Sequence, residues 1–324
     1  SKLFIQICHQ IHKIARYIVI SLISPSEIKA PTSIAIGSFD GLHEGHRKLI
    51  NTVMKDDEFT PTIASFWPHP REILYQETRL RLDLPQEKLP LLENLGIKQL
   101  VLIPFNESFS RLSPDEFVTN ILLKQLQAKS ISVGANFKFG YQRSGDVNTI
   151  KSLVEGSKTR LNVVPILNDI NGRISSSRVR DLLKNSQINQ ANQLLQRPYS
   201  FSGKVIQGKG LGRQLKFPTA NLEIDGRKFL PGEGVYVAWT KFKSSEYRYP
   251  SVMNLGPQPT INPLSPSAVE VHLLNQEINL YNLELTVEPI KKIRSQIKFP
   301  DTNSLSKQIS EDIRKANQIL KDLN

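Results

Sequence analysis

Short apolar runs alternate with helix-like segments through the first half of this chain, and this alternation restricts its fold more than any other feature. The runs are Ser33–Gly37, Thr60–Pro68, Ile97–Phe105, Lys129–Gly140 and Leu161–Leu167. The helix-like segments start at Glu44 and cover Leu80–Gly96 and Ser113–Leu126, the last beginning with a capping-box pattern. The alternation predicts a parallel, doubly wound α/β sheet, whose ligands lie at the carboxyl ends of the strands.

The pattern changes near Asn185–Pro198, which predicts one domain over residues 1–188 and a second over residues 189–324. The second half consists of short β-rich runs broken by Gly, Pro and Asn, typical of a small antiparallel barrel or sandwich. The final stretch predicts a helix with one apolar face, formed by Leu305, Ile309, Ile313, Ala316 and Leu320.

Composition limits the environment and the partners. The only cysteine is Cys8, which excludes an internal disulfide and favours a reducing, cytoplasmic location. A net charge of +12 without a block of five or six consecutive basic residues favours phosphorylated small molecules over nucleic acid. The apolar run Tyr17–Ile23 is too short to span a bilayer, so we expect a helix or strand packed on the first domain, and no membrane association.

The stretch GSFDGLHEGH, from Gly37 to His46, predicts a strand–turn–helix corner that binds phosphate. A helix N-terminus presents unpaired N–H groups and the positive end of the helix dipole. Gly37 and Gly41 let the chain turn, and Gly45 leaves space for a nucleotide. His43 and His46 either donate hydrogen bonds to phosphate oxygens or carry charge in the transition state. The alternatives are a chance cluster or a poor metal-binding pair.

Two further motifs have polar groups suited to phosphate or metal. In ISSSRVR, Ser175, Ser176 and Ser177 precede a predicted helix, and Arg178 or Arg180 can grip phosphate through two N–H groups. The alternative is an ordinary helix cap with a solvated arginine. In GKGLGRQLKFPTAN, the loop glycines can wrap phosphates, and Thr219 and Asn221 offer hard oxygen ligands suited to Mg²⁺. A hairpin loop with a polar turn is the alternative there.

Taken in order, the motifs resemble those of the bifunctional riboflavin kinase/FAD synthetase family over about residues 30–320. The first-half motifs are GSFDGLHEGH, PHP at Pro68–Pro70, VGANFKFG at Val133–Gly140 and ISSSRVRDLL at Ile174–Leu183. The second-half motifs are GRQLKFPTANL, GVY, NLGPQPT and VEVHLL. The resemblance implies a Rossmann-like nucleotidyltransferase domain followed by a small antiparallel β-barrel with a terminal α-helix.

For the first half, the resemblance implies that FMN attacks the α-phosphorus of ATP and that FAD and pyrophosphate are formed. His43, His46 and Arg178 would be catalytic. The residues implied to bind nucleotide or flavin are Gly37, Phe39, Asp40, Gly41, Gly45, Pro68, Pro70, Asn136, Ser175, Ser176, Ser177 and Arg180.

For the second half, the resemblance implies phosphorylation of riboflavin by ATP with Mg²⁺. Glu270 would take the proton of the riboflavin 5′-hydroxyl, in the barrel mouth, while His272 on the same strand face would be structural. Thr219 and Asn221 would hold the metal. The residues implied to bind nucleotide or flavin are Gly208, Gly210, Gly212, Lys216, Pro218 and Asn254.

The chain departs from the family pattern at a few positions. Lys216 and Asn282 stand where the family usually has glycine, and Gln296 where it has glutamate. Trp67 replaces a residue that is commonly acidic. These departures motivate an alternative in which only the FMN adenylyltransferase half is active and the other half is a degenerate flavin-binding module. A third hypothesis is a nucleic-acid-binding protein, which the low aromatic content of the second half disfavours.

Overall fold

The first half of the chain forms the parallel sheet that its alternating pattern predicts. A computed structural model describes residues 21–76, 80–207, 217–242, 247–256, 267–276 and 278–323. Its strands are β1 (Ser21–Ile23), β2 (Thr32–Ile36), β3 (Thr60–Trp67), β4 (Gln99–Pro104), β5 (Ala128–Gly134) and β6 (Arg160–Val164). All pair in parallel in the order β1-β4-β3-β2-β5-β6. The strand order reverses between β2 and β5, which is where such sheets bind ligands.

Helices cover both faces of this sheet. They are α1 (Glu44–Val53), α2 (Pro70–Leu74), α3 (Pro85–Glu93), α4 (Glu107–Ser110), α5 (an α-helical turn, Pro114–Glu116, continued by π-helical Phe117–Gln125) and α6 (Val147–Val154). A small hairpin of β7 (Asn168–Asp169) and β8 (Gly172–Arg173) follows β6. On one face, Ile50 and Val53 of α1 pack with Leu100; on the other, Phe117 and Leu122 pack beneath the sheet.

Three details of this half differ from or refine the sequence-based expectations. The described end of the Tyr17–Ile23 run is strand β1, paired with β4. The capping box at Ser113 is confirmed, because Ser113 Oγ accepts from Glu116 N and Ser113 N donates to Glu116 Oε2. The predicted helix over Leu80–Gly96 is wrong at its start, because α3 begins only at Pro85.

The second half forms a closed barrel. Of the two architectures predicted for it, the barrel is confirmed and the sandwich is wrong. It begins with two helices, α7 (Ser176–Lys184) and α8 (Ile188–Leu195). The strands are β9 (Phe201–Ile206), β10 (Ala220–Ile224), β11 (Gly234–Phe242), β12 (Arg248–Leu255), β13 (Ser267–Leu273) and β14 (Glu284–Arg294). They pair antiparallel in the closed order β10-β13-β12-β11-β14-β9. The predicted terminal helix is α9 (Thr302–Lys321), and its Ala316 and Leu320 are buried.

The chain divides into two compact units that are not contiguous in sequence. The first holds the described residues up to Ser175 except Leu80–Leu82, and the second holds Leu80–Leu82 and the residues from Ser176 onward. Helices α7 and α8 therefore belong to the barrel unit, whereas the functional boundary predicted between residues 188 and 189 stays a prediction. None of the helices in the described part of the chain is long and apolar enough to cross a membrane.

The segment Leu80–Leu82 is built into the barrel unit by backbone and side-chain hydrogen bonds. Arg81 N donates to Arg227 O, and Phe229 N donates to Arg81 O, both at 2.7 Å. The Lys228 ammonium, only 2% exposed, donates to Leu82 O at 2.6 Å. These bonds keep the segment extended, which is why it cannot join α3.

A buried ion pair attaches α9 to the barrel. Arg294 at the end of β14 donates through Nε and Nη2 to the Asp312 carboxylate at 2.8–3.0 Å, and Gln308 Nε2 donates to Asp312 Oδ1 at 2.9 Å. The Asp312 side chain is 3% exposed. Loss of one partner would leave a charge buried without compensation.

We therefore predict that Asp312→Ala lowers the free energy of unfolding of the barrel unit by about 3 kcal/mol. Urea denaturation of the full chain measures this loss. Glu311→Ala is the matched control, because Glu311 pairs with Arg314 at the surface of the same helix and its loss changes little. Equal stability of the Asp312→Ala variant and the unmodified chain would contradict the prediction.

Candidate functional site

The turn between β2 and α1 is held in an unusual backbone conformation. Gly37 N donates to Ala64 O at 3.1 Å, so the chain leaves the sheet beside β3. Phe39 and Leu42 both have φ of 46°, and Gly41 has φ of 92°. Left-handed conformations are unfavourable for bulky residues and persist only where packing compensates for them. Here the Phe39 and Leu42 side chains are fully buried in the core beneath the sheet edge.

Polar groups of neighbouring elements fix the same turn. Asp83 N donates to the buried Asp40 carboxylate at 3.3 Å. The Ser38 carbonyl accepts from the Lys88 ammonium at 3.2 Å and from Ser65 Oγ at 3.1 Å. Because the turn is attached to three parts of the unit, the start of α1 is set relative to the carboxyl ends of the strands.

His43 and His46 form a stacked pair at the start of α1. Their ring centroids are 3.8 Å apart with an interplanar angle of 18°, and Phe39 lies 5.2 Å from the His46 ring. His43 is the N-cap residue but makes no side-chain capping hydrogen bond. A Cβ at Gly45 would lie 3.2 Å from the His43 ring, so a larger residue at this position would crowd the ring. Space for a nucleotide beside Gly45 stays a prediction.

Both rings are neutral at pH 7. Burial lowers the pKa of His43 from 6.5 to about 4, with Arg173 adding to this effect and Asp40 opposing it. Burial, with smaller contributions from His43 and Lys88, holds the pKa of His46 well below its ordinary value. The Nδ1 atoms of both rings are buried without a hydrogen-bond partner. Of the two roles predicted for this pair, the structure favours hydrogen bonding over charge.

Lys88 is a feature of this site that the sequence analysis missed. It lies on α3 among Leu84, Leu89 and Leu92 and is itself buried, with its ammonium on the Ser38 carbonyl. The sequence did show a lysine within the apolar face of a predicted helix. Lysine side chains are rarely buried unless they are paired, so this position could have been identified. It places a fixed positive charge beside the histidine pair.

Two other predicted segments leave the same edge of the sheet. After β5, Phe137 N donates to Gly134 O and forms a tight turn with the exposed Asn136 at its tip. After β3, Pro68 and Pro70 flank His69, whose Nδ1 accepts from Arg71 N at the start of α2. The corner after β2 lies between these strands in the sheet, so the order of strands brings the three motifs to one edge.

The serine–arginine motif spans the division between the units. Ser175 ends the first unit, and Ser176, Ser177 and Arg178 open α7 in the second. Arg180 donates to the Leu80 carbonyl from Nη2 at 3.1 Å and from Nε at 3.3 Å. Arg180 thus helps to hold Leu80–Leu82 in place, and the phosphate contacts expected of this motif stay predictions.

In the barrel, strand register lines up three polar residues. Glu270 on β13 is directly opposite Asn221 on β10 and Asn254 on β12. Opposite residues in a sheet direct their side chains to the same face. Val269 and Val271 are fully buried in the barrel, whereas Glu270 is exposed. The expectation that Glu270 points into the barrel mouth is wrong, because the buried valines leave it on the outer face of the wall.

A short chain of side-chain hydrogen bonds ends on Glu270. Asn254 Nδ2 donates to Glu270 Oε2 at 3.3 Å. Gln296 Nε2 donates to Asn254 Oδ1 at 2.7 Å and to the Leu255 carbonyl at 2.9 Å. Gln296, one of the departures from the family pattern, is therefore connected to the predicted base.

Of the two predicted metal ligands, Asn221 belongs to this row and Thr219 precedes it by two residues. Asn221 is half-buried on β10, and Thr219 is exposed immediately before the strand. His272 Nδ1 lies 2.8 Å from the Pro218 carbonyl, and its ring meets Phe217 edge-on at 6.0 Å, consistent with its structural role. Gly208, Gly210, Gly212 and Lys216 lie outside the described residues. Hydroxyl, amide and carboxylate oxygens form a donor set that suits a hard divalent cation completed by phosphate and water.

Asn282, another departure, has a conformational explanation. Its φ is 64°, and its N–H donates to Val205 O at 3.1 Å. Glycine is the usual residue in this conformation, and asparagine is among the few others that tolerate it. The substitution of asparagine for glycine therefore preserves the turn.

The comparisons with known proteins cover both units. Residues 26–178 match the family model described as FAD synthetase, and residues 195–320 match the model described as riboflavin kinase. A bifunctional riboflavin kinase/FMN adenylyltransferase of Buchnera aphidicola subsp. Acyrthosiphon pisum is 34% identical over 294 residues, covering 89% of this chain and 93% of the relative. The protein of the same description from Bacillus subtilis is 33% identical over 298 residues, covering 90% and 93%.

A solved structure shares the fold along most of the chain. It comes from Streptococcus pneumoniae and is described as a macrolide-efflux protein. The TM-score is 0.80 and the identity 27%, over 93% of this chain and 99% of that chain. The efflux description applies to the pneumococcal protein. This chain shares its architecture.

The lowered pKa of His43 predicts a pH-dependent stability of the first unit. Between pH 6.5 and about 4, His43 is protonated in the unfolded chain and neutral in the folded chain. Its contribution to the free energy of unfolding is therefore fully present above pH 6.5 and is lost as the pH falls toward 4. We expect the contribution of His43 to lower the free energy of unfolding by about 2 kcal/mol from pH 7 to pH 5. Urea denaturation at both pH values measures it, and His43→Gln should show a smaller loss. An identical loss in the variant would contradict the prediction.

The conformation of Asn282 predicts which substitutions are tolerated. Asn282→Gly should leave the free energy of unfolding nearly unchanged, whereas Asn282→Val should lower it by about 1–2 kcal/mol, because a β-branched residue is strained at positive φ. Urea denaturation of the two variants compares them directly. If the valine variant were as stable as the glycine variant, the conformational explanation would be wrong.

Proposed function

Because the chain belongs to the family of bifunctional riboflavin kinase/FMN adenylyltransferases, we propose that it phosphorylates riboflavin to FMN in the barrel unit and adenylylates FMN to FAD in the first unit. The observation that carries this proposal is the tandem match of the two family models, one within each half of the chain. Riboflavin, FMN, FAD and ATP are the corresponding substrates and products.

In the first unit, a terminal phosphate oxygen of FMN attacks the α-phosphorus of ATP. The bond from that phosphorus to the bridging oxygen breaks, and pyrophosphate leaves with the electron pair. Such transfers depend on position and charge stabilisation more than on covalent chemistry by the protein. We propose that the neutral His43 and His46 rings hydrogen-bond the phosphates at the start of α1 and that Lys88 supplies positive charge nearby. The catalytic role that the family resemblance implies for Arg178 stays a prediction.

In the barrel unit, we propose that Glu270 accepts the proton of the riboflavin 5′-hydroxyl. That oxygen then attacks the γ-phosphorus of ATP, and ADP leaves. Asn254 donates to one carboxylate oxygen of Glu270, which leaves the other oxygen for the substrate hydroxyl. Thr219 and Asn221 would hold Mg²⁺, which when bound neutralises charge on the ATP phosphates.

The alternative of a degenerate kinase module is not favoured. The riboflavin kinase model matches residues 195–320, and relatives that align over 89–90% of this chain have both activities in their names. Asn282 keeps the turn that glycine would make, and Gln296 is hydrogen-bonded to the partner of Glu270. For location, we propose the cytoplasm, supported by the single cysteine and by the use of ATP.

The two activities should be separable by substitution. In an assay of purified protein with riboflavin, ATP and Mg²⁺, chromatography should show FMN first and then FAD. Glu270→Gln should slow FMN formation about 100-fold or more and spare FAD formation from supplied FMN. His46→Ala should slow FAD formation about 100-fold and spare FMN formation.

The spared activity of each variant shows that the unsubstituted unit is intact, and the melting temperature of the variant shows whether the substituted unit is folded. Unchanged FMN formation in Glu270→Gln would refute the proposed base. Unchanged FAD formation in His46→Ala would refute the role of the histidine pair.

A further inference from the structure

We infer that Gln296 is a positioning residue for the kinase reaction, because it orients the Asn254 amide so that an N–H group faces Glu270. This inference rests on the proposed function of Glu270 as the base. It concerns a position where this chain departs from the family pattern.

The direction of the hydrogen bonds follows from one backbone group. The Leu255 carbonyl can only accept, so the Gln296 atom 2.9 Å from it is the amide nitrogen. The second hydrogen of that nitrogen is directed to Asn254 at 2.7 Å, where it requires an oxygen. The other end of the Asn254 amide is then a nitrogen, and it donates to Glu270 Oε2 at 3.3 Å. A single carbonyl thus determines the orientation of both amides.

The backbone on both sides of this chain is fixed. Asn254 and Glu270 are opposite residues of the paired strands β12 and β13. The Leu255 side chain is fully buried, which holds its carbonyl in place. Gln296 follows Arg294 by two residues, and Arg294 is bound to the buried Asp312 carboxylate of α9. The Gln296 amide is therefore presented to Asn254 by two elements of the barrel unit.

A residue that cannot donate at position 296 would release this arrangement. Methionine has a similar length and no amide, so Asn254 would lose its orientation. The base then loses a charge-assisted hydrogen bond that orients it.

The experiment is a double-mutant cycle on riboflavin phosphorylation in the full chain. We expect Gln296→Met to lower kcat about fivefold to tenfold, with the KM values for riboflavin and ATP changed less than about twofold. We expect Asn254→Ala to lower kcat to a similar extent. In the Asn254→Ala background, Gln296→Met should then have little further effect, because the two residues act in series.

Several results would overturn the inference. Losses that multiply in the double variant would mean that Gln296 acts independently of Asn254. An unchanged kcat in Gln296→Met would refute the positioning role, and a change confined to KM would indicate a binding role. Gln193→Met, at an exposed position on α8, is the matched control and should leave kcat unchanged. FAD formation from supplied FMN and the melting temperature of each variant report whether the chain is folded.

Failure of this inference is distinguishable from failure of the proposed function. If Glu270→Gln abolishes FMN formation while Gln296→Met does not slow it, only the positioning role is wrong. If Glu270→Gln is fully active, the proposed base itself is wrong.

Discussion

Burial of the Phe39 and Leu42 side chains is the interaction on which the first unit's site depends. Both residues have left-handed backbone conformations, which are unfavourable unless packing compensates for them. Once the two side chains are in the core, the chain turns sharply after β2, and α1 begins at Glu44. The stacking of His43 on His46, and the burial that keeps both rings neutral, follow from where that helix begins. The chemistry of the corner is thus a consequence of apolar packing a few residues upstream.

In the barrel unit, strand register positions the functional side chains. Pairing of β10, β13 and β12 puts Asn221, Glu270 and Asn254 side by side on the outer face of the wall, while alternate residues fill the interior. A shift of register by one residue would bury the polar row and expose the valines. The same hydrophobic requirement that closes the barrel therefore keeps the polar row intact. In both units the functional side chains are placed by the core beneath them.

Much of this arrangement could be predicted from the sequence, because local patterns determine local structure. The strand–turn–helix corner, the Ser113 cap, the antiparallel β-rich second half and the terminal helix all follow from periodicity and turn residues. Other features depend on groups distant in sequence. Leu80–Leu82 has helical spacing but pairs with Arg227 and Phe229. Alternation shows that Glu270 and Val269 face opposite ways, but only closure of the barrel decides which side is solvent. The burial of Lys88 likewise depends on the Ser38 carbonyl, fifty residues away.

The segment Leu80–Leu82 means that the barrel unit is not encoded by one continuous stretch of the chain. A fragment starting at Ser176 would contain every barrel strand and still lack three residues of its own structure. Arg227 O and Phe229 N would lose these hydrogen bonds, and the Lys228 ammonium would lose the one to the Leu82 carbonyl. Excision of a stand-alone kinase from this chain would break all three bonds unless the tripeptide were grafted onto it. The barrel unit thus depends on three residues that lie almost a hundred positions before its main segment in the sequence.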